Sequence, residues 1–415
     1  MFDFMDFGSE DDPVAAPDGP YIPEAAECMR CGMCVSHCPT FRLFEIDEET
    51  PRRRIRTISK ILVSQEPLSS AEHQHLRNCV QCRACETVCP SRMAYGALFD
   101  QALATVATAP GRLAKLALWL IDHKNWRAAL MPALVFYRKS GLQALLRATG
   151  ILLKLGVAEA DAIMTTPAMT ALAGRYRTSL PCRGRVALFS GCIAEHFDRE
   201  NLTAAIKLLN AIAYDVLVPA QQSCCGAIHQ HNGITSQNLI ENNLAVFNAL
   251  DVEAVLYAAS GCGAMLHEYQ SEDTAAAQVF HERLQDINQF LLSHWPTELK
   301  LRPASIKVAV HEPCSQRNVL KNQQAVYALL EKIPELSIAP LADNNLCCGA
   351  GGSYMLTHPG NAQRLRAMKL DCISAAPADV VLSSNFACTA FLQRHGAKLC
   401  HPVKLLALQL PINQH

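Results

Sequence analysis

The same arrangement of cysteines occurs twice near the start of the chain, and it constrains the fold more than any other feature. In each copy, three cysteines are separated by two residues each, and a fourth cysteine, followed by proline, comes after three further residues. The copies are Cys28, Cys31, Cys34 and Cys38, and Cys79, Cys82, Cys85 and Cys89. This spacing is typical of thiolates that hold two [4Fe–4S] clusters, where the fourth cysteine of each copy ligates the other cluster.

The crossed ligation divides the eight cysteines into two sets. The first cluster is predicted to bind Cys28, Cys31, Cys34 and Cys89, and the second Cys79, Cys82, Cys85 and Cys38. Zinc is the main alternative, but zinc sites use pairs of cysteines rather than triplets followed by Cys-Pro. Disulfides are a weaker alternative, since nothing marks the chain as secreted. Residues 28–100 are therefore predicted to form a ferredoxin-like domain.

This domain is expected to be helical. Pro51 precedes a run in which Ile55, Ile58 and Leu62 share one face at helical spacing. The run also contains Arg52, Arg53 and Arg54. These arginines have three interpretations: they raise cluster potentials, dock an acidic partner, or form a solvated face.

Length and charge bound the remaining possibilities. The chain has 415 residues, 19 cysteines and a net charge of −1, which favours several domains and gives no sign of a nucleic-acid partner. Residues 1–27 form an acidic extension with eight acidic residues and no Lys or Arg, unlike a targeting peptide, and they are interpreted as a solvated tail or a docking strap. The odd cysteine count predicts a reducing compartment. We expect a cytoplasmic protein, with peripheral contact at the cytoplasmic face of the inner membrane as an alternative.

Residues 101–183 are predicted to form a helical connector rich in Ala and Leu. Between residues 111 and 185 the chain has twelve Lys or Arg and only three acidic residues. Basic amphipathic helices can lie on anionic membranes, but they can equally pack on their own protein or on a partner. Both interpretations stay open, with packing preferred.

An internal repeat follows, over residues 184–300 and 301–415. Each copy has a cysteine after an apolar β-rich run, then Cys-Cys-Gly, then another cysteine after a second apolar run. Alternating strands and helices predict an α/β fold in which parallel sheets bring these loops to one edge. The cysteines concerned are Cys192, Cys224, Cys225 and Cys262 in the first repeat, and Cys314, Cys347, Cys348 and Cys388 in the second.

Four cysteines converging in each repeat predict a further iron–sulfur or metal site there. Inert buried thiols are the alternative, because free cysteine is a common core residue. Cys182, Cys372 and Cys400 lie outside the pattern and are interpreted as packing residues. Three histidines near the cysteine edge, His229, His231 and His311, are interpreted as structural, with cluster tuning or proton relay as alternatives.

At this point the sequence resembles a known family. The doubled Cys-Pro run followed by two Cys-Cys-Gly repeats resembles the iron–sulfur subunit of glycolate oxidase, in a group that includes iron–sulfur subunits of lactate and glycerol-3-phosphate dehydrogenases and the Cys-Cys-Gly-containing chain of heterodisulfide reductase. The resemblance runs from Cys28 to the end of the chain. It is carried by Cys38-Pro39-Thr40, by residues 260–264 (Ser-Gly-Cys-Gly-Ala) and by residues 347–359, which begin Cys-Cys-Gly-Ala-Gly-Gly-Ser-Tyr.

The resemblance implies a separate FAD-containing dehydrogenase subunit that oxidises a 2-hydroxy acid, such as glycolate to glyoxylate. Electrons would then pass through the clusters of this chain towards a quinone or another acceptor. We expect neither FAD nor NAD in this chain, since no Gly-x-Gly-x-x-Gly follows a predicted strand, and no residue here is expected to act on the hydroxy acid.

Three alternatives remain: a D- or L-lactate dehydrogenase subunit, a heterodisulfide-reductase-like thiol/disulfide enzyme, and a regulatory or scaffold iron–sulfur protein. Ala259 and Asn385 stand where the fuller Cys-Cys-Gly pattern has a further cysteine, which counts against disulfide chemistry. The chain also has Thr50-Pro51-Arg52-Arg53-Arg54 where the family usually has Gly-Pro-Arg-Gly-Arg.

Overall fold

The computed structural model describes residues 28–106, 111–272, 274–394 and 396–411. The acidic extension 1–27 lies outside the described residues, so its two interpretations stay open. The N-terminal part is helical, as the sequence predicts. Its helices are α1 (Pro39–Phe44), α2 (Pro51–Leu62), α3 (Ser70–Arg77), α4 (Ala84–Thr87) and α5 (Tyr95–Val106).

Local sequence explains where these helices begin. The Thr50 hydroxyl accepts a hydrogen bond from the Arg53 amide, and Pro51 occupies the first position of α2, where a missing amide hydrogen costs nothing. At α3, Ser69 and Glu72 form a capping box. Ile58 of α2 is fully buried against α5, so the predicted apolar face is the one that packs in the domain core.

The connector is also helical. It consists of α6 (Arg112–Asp122), α7 (Lys124–Lys139), α8 (Leu142–Ala148), α9 (Ile151–Lys154) and α10 (Ala158–Ile163). No residue of α6 is buried, although its sequence is mostly apolar, and Leu113, Leu116 and Trp119 are exposed. Within the described residues, none of the helices combines the length and the apolar character needed to cross a membrane. The connector therefore presents an apolar face that the described part of the chain leaves uncovered.

The first repeat is built around a five-stranded sheet with the order β1-β3-β2-β4-β5. Strand β1 is antiparallel to β3, and the other pairs are parallel. The elements are β1 (Gly174–Tyr176), β2 (Gly184–Phe189), α11 (Ala194–Phe197), α12 (Arg199–Ala211), β3 (Tyr214–Val218), α13 (Ala227–Gln230), α14 (Gln237–Asn248), β4 (Ala254–Tyr257), α15 (Ser260–Glu268), α16 (Ala275–Arg283), β5 (Leu284–Asp286) and α17 (Ile287–His294). The sheet thus reaches back to Gly174, before the expected boundary at residue 184.

The second repeat has a four-stranded, wholly parallel sheet with the order β7-β6-β8-β9. The elements are β6 (Lys307–His311), a π-helical segment (Ser315–Leu320), α18 (Gln324–Leu330), β7 (Ser337–Pro340), α19 (Tyr354–Thr357), α20 (Pro359–Ala375), β8 (Val380–Ser383), α21 (Phe386–Gln393), β9 (Leu399–Cys400) and α22 (Pro402–Leu408). The central strands match the apolar runs in the sequence. The predicted pair of α/β units with parallel sheets is therefore confirmed.

The two repeats share one hydrophobic core. Helix α22, from the second repeat, packs on α12 of the first, where Val403 and Leu406 are fully buried with Leu208 and Leu209. Burying such side chains stabilises a protein by about 1.5–3 kcal/mol each. The repeats therefore form one body, and their cysteine loops are held in fixed positions relative to each other.

Candidate iron–sulfur sites

The first ferredoxin cavity lies at the protein surface. It has a void of about 480 Å³, and its cysteines are Cys28, Cys31, Cys34, Cys85 and Cys89. Gly32 has a φ of +79°, a left-handed conformation that turns the chain around the cavity. Met29 beside it is 71% exposed. The structure thus brings together the four cysteines predicted for the first cluster and leaves their loop open to a partner.

The second cavity is interior. It has a void of about 310 Å³ and is lined by Cys38, Cys79, Cys82 and Cys85. These are the four cysteines predicted for the second cluster, and Cys85 borders both cavities. Burial raises the pKa of the Cys82 and Cys85 thiols well above the ordinary value. Thiolates are therefore stable here only with a compensating positive charge, which iron ions supply.

Arg54 is a buried cation beside this second cavity. Its guanidinium Nη1 lies 3.8 Å from the Cys38 Sγ and donates to the Thr40 hydroxyl at 2.9 Å. Arg52 and Arg53 instead pair with Asp47 at the surface. The three arginines thus fall into different environments: Arg54 lies beside the second cavity, Arg52 also borders the first cavity, and Arg53 forms part of the solvated face.

The four cysteines of the first repeat lie in contact with one another. The Cys192 and Cys224 sulfurs are 3.3 Å apart, and the thiol contacts continue to Cys225 and Cys262. Gly226 completes the turn with a φ of +95°, and a Cβ there would lie 2.7 Å from the Ser236 Cβ. Only glycine fits this position, which explains the third residue of the Cys-Cys-Gly motif.

The second repeat repeats this arrangement. The Cys348 and Cys388 sulfurs are 2.8 Å apart, and Cys347 links them to Cys314. Gly349 has a φ of +85°, and a Cβ there would lie 2.5 Å from the Ala362 carbonyl oxygen. The predicted convergence of four cysteines therefore occurs in both repeats.

Each cysteine set also has a buried cation that the sequence analysis missed. Arg127 of the connector helix α7 acts electrostatically on Cys192, and Lys369 of α20 acts on Cys347 and Cys348. Burial lowers the pKa of Lys369, whose Nζ donates to the Asp343 carbonyl oxygen at 2.8 Å. No motif marks either residue, because each reaches its site from a helix distant in sequence.

Soft thiolate donors with a nearby cation suit an iron–sulfur group. The contacting sulfur atoms would have to separate to admit it. Among the described residues, no group of three or more His, Cys, Asp or Glu is arranged to hold a single metal ion. The support for an iron–sulfur group at each site is therefore the presence of four thiol donors.

The second ferredoxin cavity adjoins the second repeat. Cys82 lies close enough to Cys314 and Cys347 to act on them electrostatically. The Asn318 side-chain amide also donates to the Cys82 carbonyl oxygen at 2.8 Å. Two cysteine sets distant in sequence are thus adjacent in space, as a path for electrons requires.

Family models match segments of the ferredoxin domain, the connector and both repeats. Residues 24–93 match the 4Fe-4S dicluster domain, and residues 186–267 and 308–393 each match the cysteine-rich domain. Residues 110–164 match the linker region of the glycolate oxidase iron-sulfur subunit. The probable glycolate oxidase iron-sulfur subunit of Bacillus subtilis is 30% identical over 390 residues, which cover 88% of this chain and 87% of that protein.

This chain belongs to the family of glycolate oxidase iron–sulfur subunits. The glycolate oxidase iron-sulfur subunit of Escherichia coli is 28% identical over 380 residues, covering 89% of this chain and 90% of that protein. Lactate utilization protein A of Shouchella clausii is 25% identical over 209 residues, which cover 49% of this chain and 87% of that protein. The resemblance stated from the sequence is thus confirmed.

In this member of the family the three histidines have different surroundings. The buried His311 ring bonds to the Ser383 hydroxyl at 3.0 Å, and burial lowers its pKa to about 3, so it is a neutral structural residue. His229 pairs with Asp122 of the connector. The His231 Nδ1 atom is buried and has no hydrogen-bond partner within the described part of the chain. The His229 Nδ1 atom is likewise buried without a partner among the described residues, so the surroundings of all three rings fit structural roles.

Proposed function

We propose that this chain is the iron–sulfur electron-transfer subunit of a flavin-dependent 2-hydroxy-acid dehydrogenase complex of the glycolate oxidase type. It would carry electrons from a separate FAD-containing subunit to a quinone or another acceptor. The observation that carries the proposal is the adjacency of Cys82 to Cys314 and Cys347, which joins the ferredoxin domain to the second repeat. Catalysis at the hydroxy acid would belong to the partner.

The eight ferredoxin cysteines would hold two [4Fe–4S] clusters in the two crossed sets described above. The cysteines of each repeat would hold a further iron–sulfur group. Bound clusters of this kind accept and release single electrons with little rearrangement. The chain's own residues place the Arg54, Arg127 and Lys369 charges near the thiols. Positive charge near a cluster favours its reduced form.

The connector is the proposed contact for the flavoprotein subunit. Helix α6 has no buried residue, exposes Leu113, Leu116 and Trp119, and lies in the segment that matches the linker of an oxidase subunit. An exposed apolar surface rimmed by charges is typical of a protein interface. The net positive charge of the connector would favour an acidic partner surface.

The test is anaerobic reconstitution of this chain with a candidate FAD-containing subunit. Glycolate, D-lactate and L-lactate are added separately, and reduction of the clusters is followed by EPR. We expect one hydroxy acid to reduce the clusters only when both subunits are present. If this chain alone is reduced, or if no hydroxy acid reduces the mixture while dithionite does, the proposed function is wrong.

A lactate dehydrogenase subunit is the second candidate, because lactate utilization protein A is similar in sequence to about half of this chain. The same reconstitution distinguishes it by substrate. A disulfide reductase is less well supported. Asn385 stands at one of the two positions where the fuller Cys-Cys-Gly pattern has a further cysteine. Its side chain caps α21 and donates to the Ser315 hydroxyl at 3.3 Å. This residue serves local structure where a thiol would be needed for disulfide chemistry.

A further inference from the structure

A largely buried ionic cluster joins the ferredoxin domain to the first repeat. Its centre is Arg83, which directly follows Cys82 in the chain and borders the second cavity. The Arg83 Nη2 atom lies 3.4 Å from the Asp100 Oδ2 atom on α5 and also pairs with Glu268 at the end of α15. Arg83 therefore links the surroundings of the second cavity to two carboxylates, one from each domain.

The two carboxylates also share a second donor. The Gln230 side-chain amide, at the end of α13, donates to the Asp100 Oδ2 at 2.8 Å and to the Glu268 Oε2 at 3.0 Å. Carboxylates that share one guanidinium and one amide lie close together, and the single positive charge balances only one of them. Proximity of like charges favours protonation of one carboxyl of such a pair. The cluster therefore carries a negative charge that one proton can neutralise.

The neighbouring helix leaves room for Arg83 to reach this pair. Gly96 of α5 lies directly beside the arginine, and a Cβ at this position would overlap the Arg83 guanidinium. The Gly96 amide donates to the Glu86 carboxylate at 2.5 Å, which holds the start of α5 against α4. A glycine is suited to such a close approach because it has no side chain. The arginine thus passes over α5 to Asp100 in a defined position.

Two further titratable groups lie near the pair. Glu86 adds negative charge, and His231, which lies near Arg83, is neutral because burial lowers its pKa to about 4. Burial raises the pKa of Asp100 to about 6 and also raises the pKa of Glu268, although Gln230 and Arg83 oppose both shifts. The Asp100 and Glu268 side chains are still 16% and 23% exposed, so protons can reach them from solvent.

We propose that Asp100 and Glu268 together take up one proton when the second cluster is reduced. An added electron makes the sulfur atoms beside Arg83 more negative, and their attraction for the guanidinium leaves the two carboxylates less compensated. An O–H bond then forms on one carboxylate with a proton from solvent, and it breaks when the electron leaves. The electron comes from whichever one-electron reductant supplies the cluster. The inference rests on the second cluster of the proposed function, but not on the flavoprotein subunit.

The test is the pH dependence of the reduction potential of the second cluster. The cluster-loaded full chain is titrated anaerobically with dithionite and redox mediators between about pH 5.5 and 8.5, and reduction is followed by EPR. The variants are Asp100→Asn and Glu268→Gln, which keep the size of each side chain and remove its charge. The control is Asp251→Asn, the same chemical change at a carboxylate that is 89% exposed. Iron and sulfide contents are measured for each protein to verify that both ferredoxin clusters are present.

We expect the potential of the wild type and of the control to fall above about pH 6, by up to about 59 mV for each tenfold fall in proton concentration. In each variant the slope should fall at least twofold, because the remaining carboxylate has the guanidinium to itself and stays ionised. A pH-independent potential in the wild type, or the wild-type slope in either variant, would overturn the proposal. A chain that incorporates no second cluster would overturn the proposed function as well, so the two failures are distinguishable.

Discussion

The Arg54 guanidinium lies 3.8 Å from the Cys38 thiol, and on its other side it pairs with the Glu49 carboxylate in the protein interior. Both charged side chains are 1% exposed. Glu49 also accepts hydrogen bonds from His75 and Asn78. A buried charge of this kind is stable only with its partners, so Arg54 is fixed next to the second cavity.

Replacing this arginine should shift the second cluster to a lower reduction potential. A unit charge 4 Å away contributes up to about 4 kcal/mol at an effective dielectric constant near 20, and the paired Glu49 carboxylate offsets part of this effect. We therefore expect the double change Glu49→Gln with Arg54→Gln to lower the potential by some tens of millivolts or more in an EPR-monitored titration. Arg53→Gln is the control, since Arg53 pairs with Asp47 at the surface. Equal potentials in both variants would contradict the prediction.

The glycine of the second Cys-Cys-Gly turn should not tolerate a side chain. Gly349→Ala forces alanine into a left-handed conformation, at about 1–2 kcal/mol, and brings its Cβ against the Ala362 carbonyl oxygen. We expect a lower melting temperature and loss of iron from the second repeat. Gly360→Ala on α20 is the control, because nothing lies within 4 Å of its Cβ position. This control should gain a few tenths of a kcal/mol in stability.

Iron counting tests whether the repeats hold iron–sulfur groups. The wild type is expected to contain more than the roughly eight irons that two [4Fe–4S] clusters supply. The double change Cys225→Ala with Cys348→Ala should reduce the count to that value and remove an EPR signal. Cys372→Ala, outside both sets, should change neither. If the wild type holds about eight irons and the double variant is unchanged, the repeats are scaffold.

The stability of the protein should fall between acidic and neutral pH because of Asp198. Burial raises the pKa of this carboxyl to about 7, although Asn201 donates to it at 2.6 Å and Lys404 lies nearby. The folded state then holds a proton that the unfolded state releases above about pH 4. Stability from this group is therefore complete below pH 4 and lost as the pH rises to 7.

Asp198→Asn should remove this loss. We expect its melting temperature to exceed that of the wild type at pH 7.5, by an amount that corresponds to roughly 1–3 kcal/mol, and to approach it at pH 5. Asp251→Asn is the control, as Asp251 is 89% exposed. A uniform shift at both pH values would show that the carboxyl is not the cause.

Charge on the connector face should disrupt assembly. Leu116→Glu and Trp119→Glu place carboxylates on α6, which has no buried residue, so the chain should keep its own stability and iron content. We expect co-purification of the flavoprotein subunit to fall at least tenfold. Leu153→Glu, on α9, is an exposed control at a different position of the connector. If liposome binding falls and co-purification does not, the connector face contacts a membrane instead.

The spacing of the cysteines indicates which of them gather around each cavity because it reflects local geometry, and their ligation of clusters stays a prediction. The three-cysteine loops wrap one cavity each, and the fourth cysteine crosses to the other, as the pattern at Cys38 and Cys89 indicates. The central strands are equally clear, since residues 186–189 of β2 and all of β4 are continuous apolar runs buried on both faces.

Other parts of the site depend on contacts that no local pattern encodes. Arg127 and Lys369 reach the thiols from helices whose sequences are otherwise ordinary. The bond between Asn318 and Cys82 joins residues that are far apart in the chain. Short edge strands such as β1 and β9 are set by pairing with a neighbour rather than by their own two or three residues. These features become visible only in three dimensions.

Helix α22 also determines the order in which the protein can mature. Its residues Val403 and Leu406 complete the core that α12 begins about two hundred residues earlier. During synthesis the first repeat therefore cannot bury that surface until the ribosome has passed residue 408. The thiols of the first repeat pack on the opposite face of the same sheet, whose other face stays uncovered for that time. Iron insertion at this repeat is thus expected to follow the synthesis of α22, and the cell must keep these cysteines reduced until then.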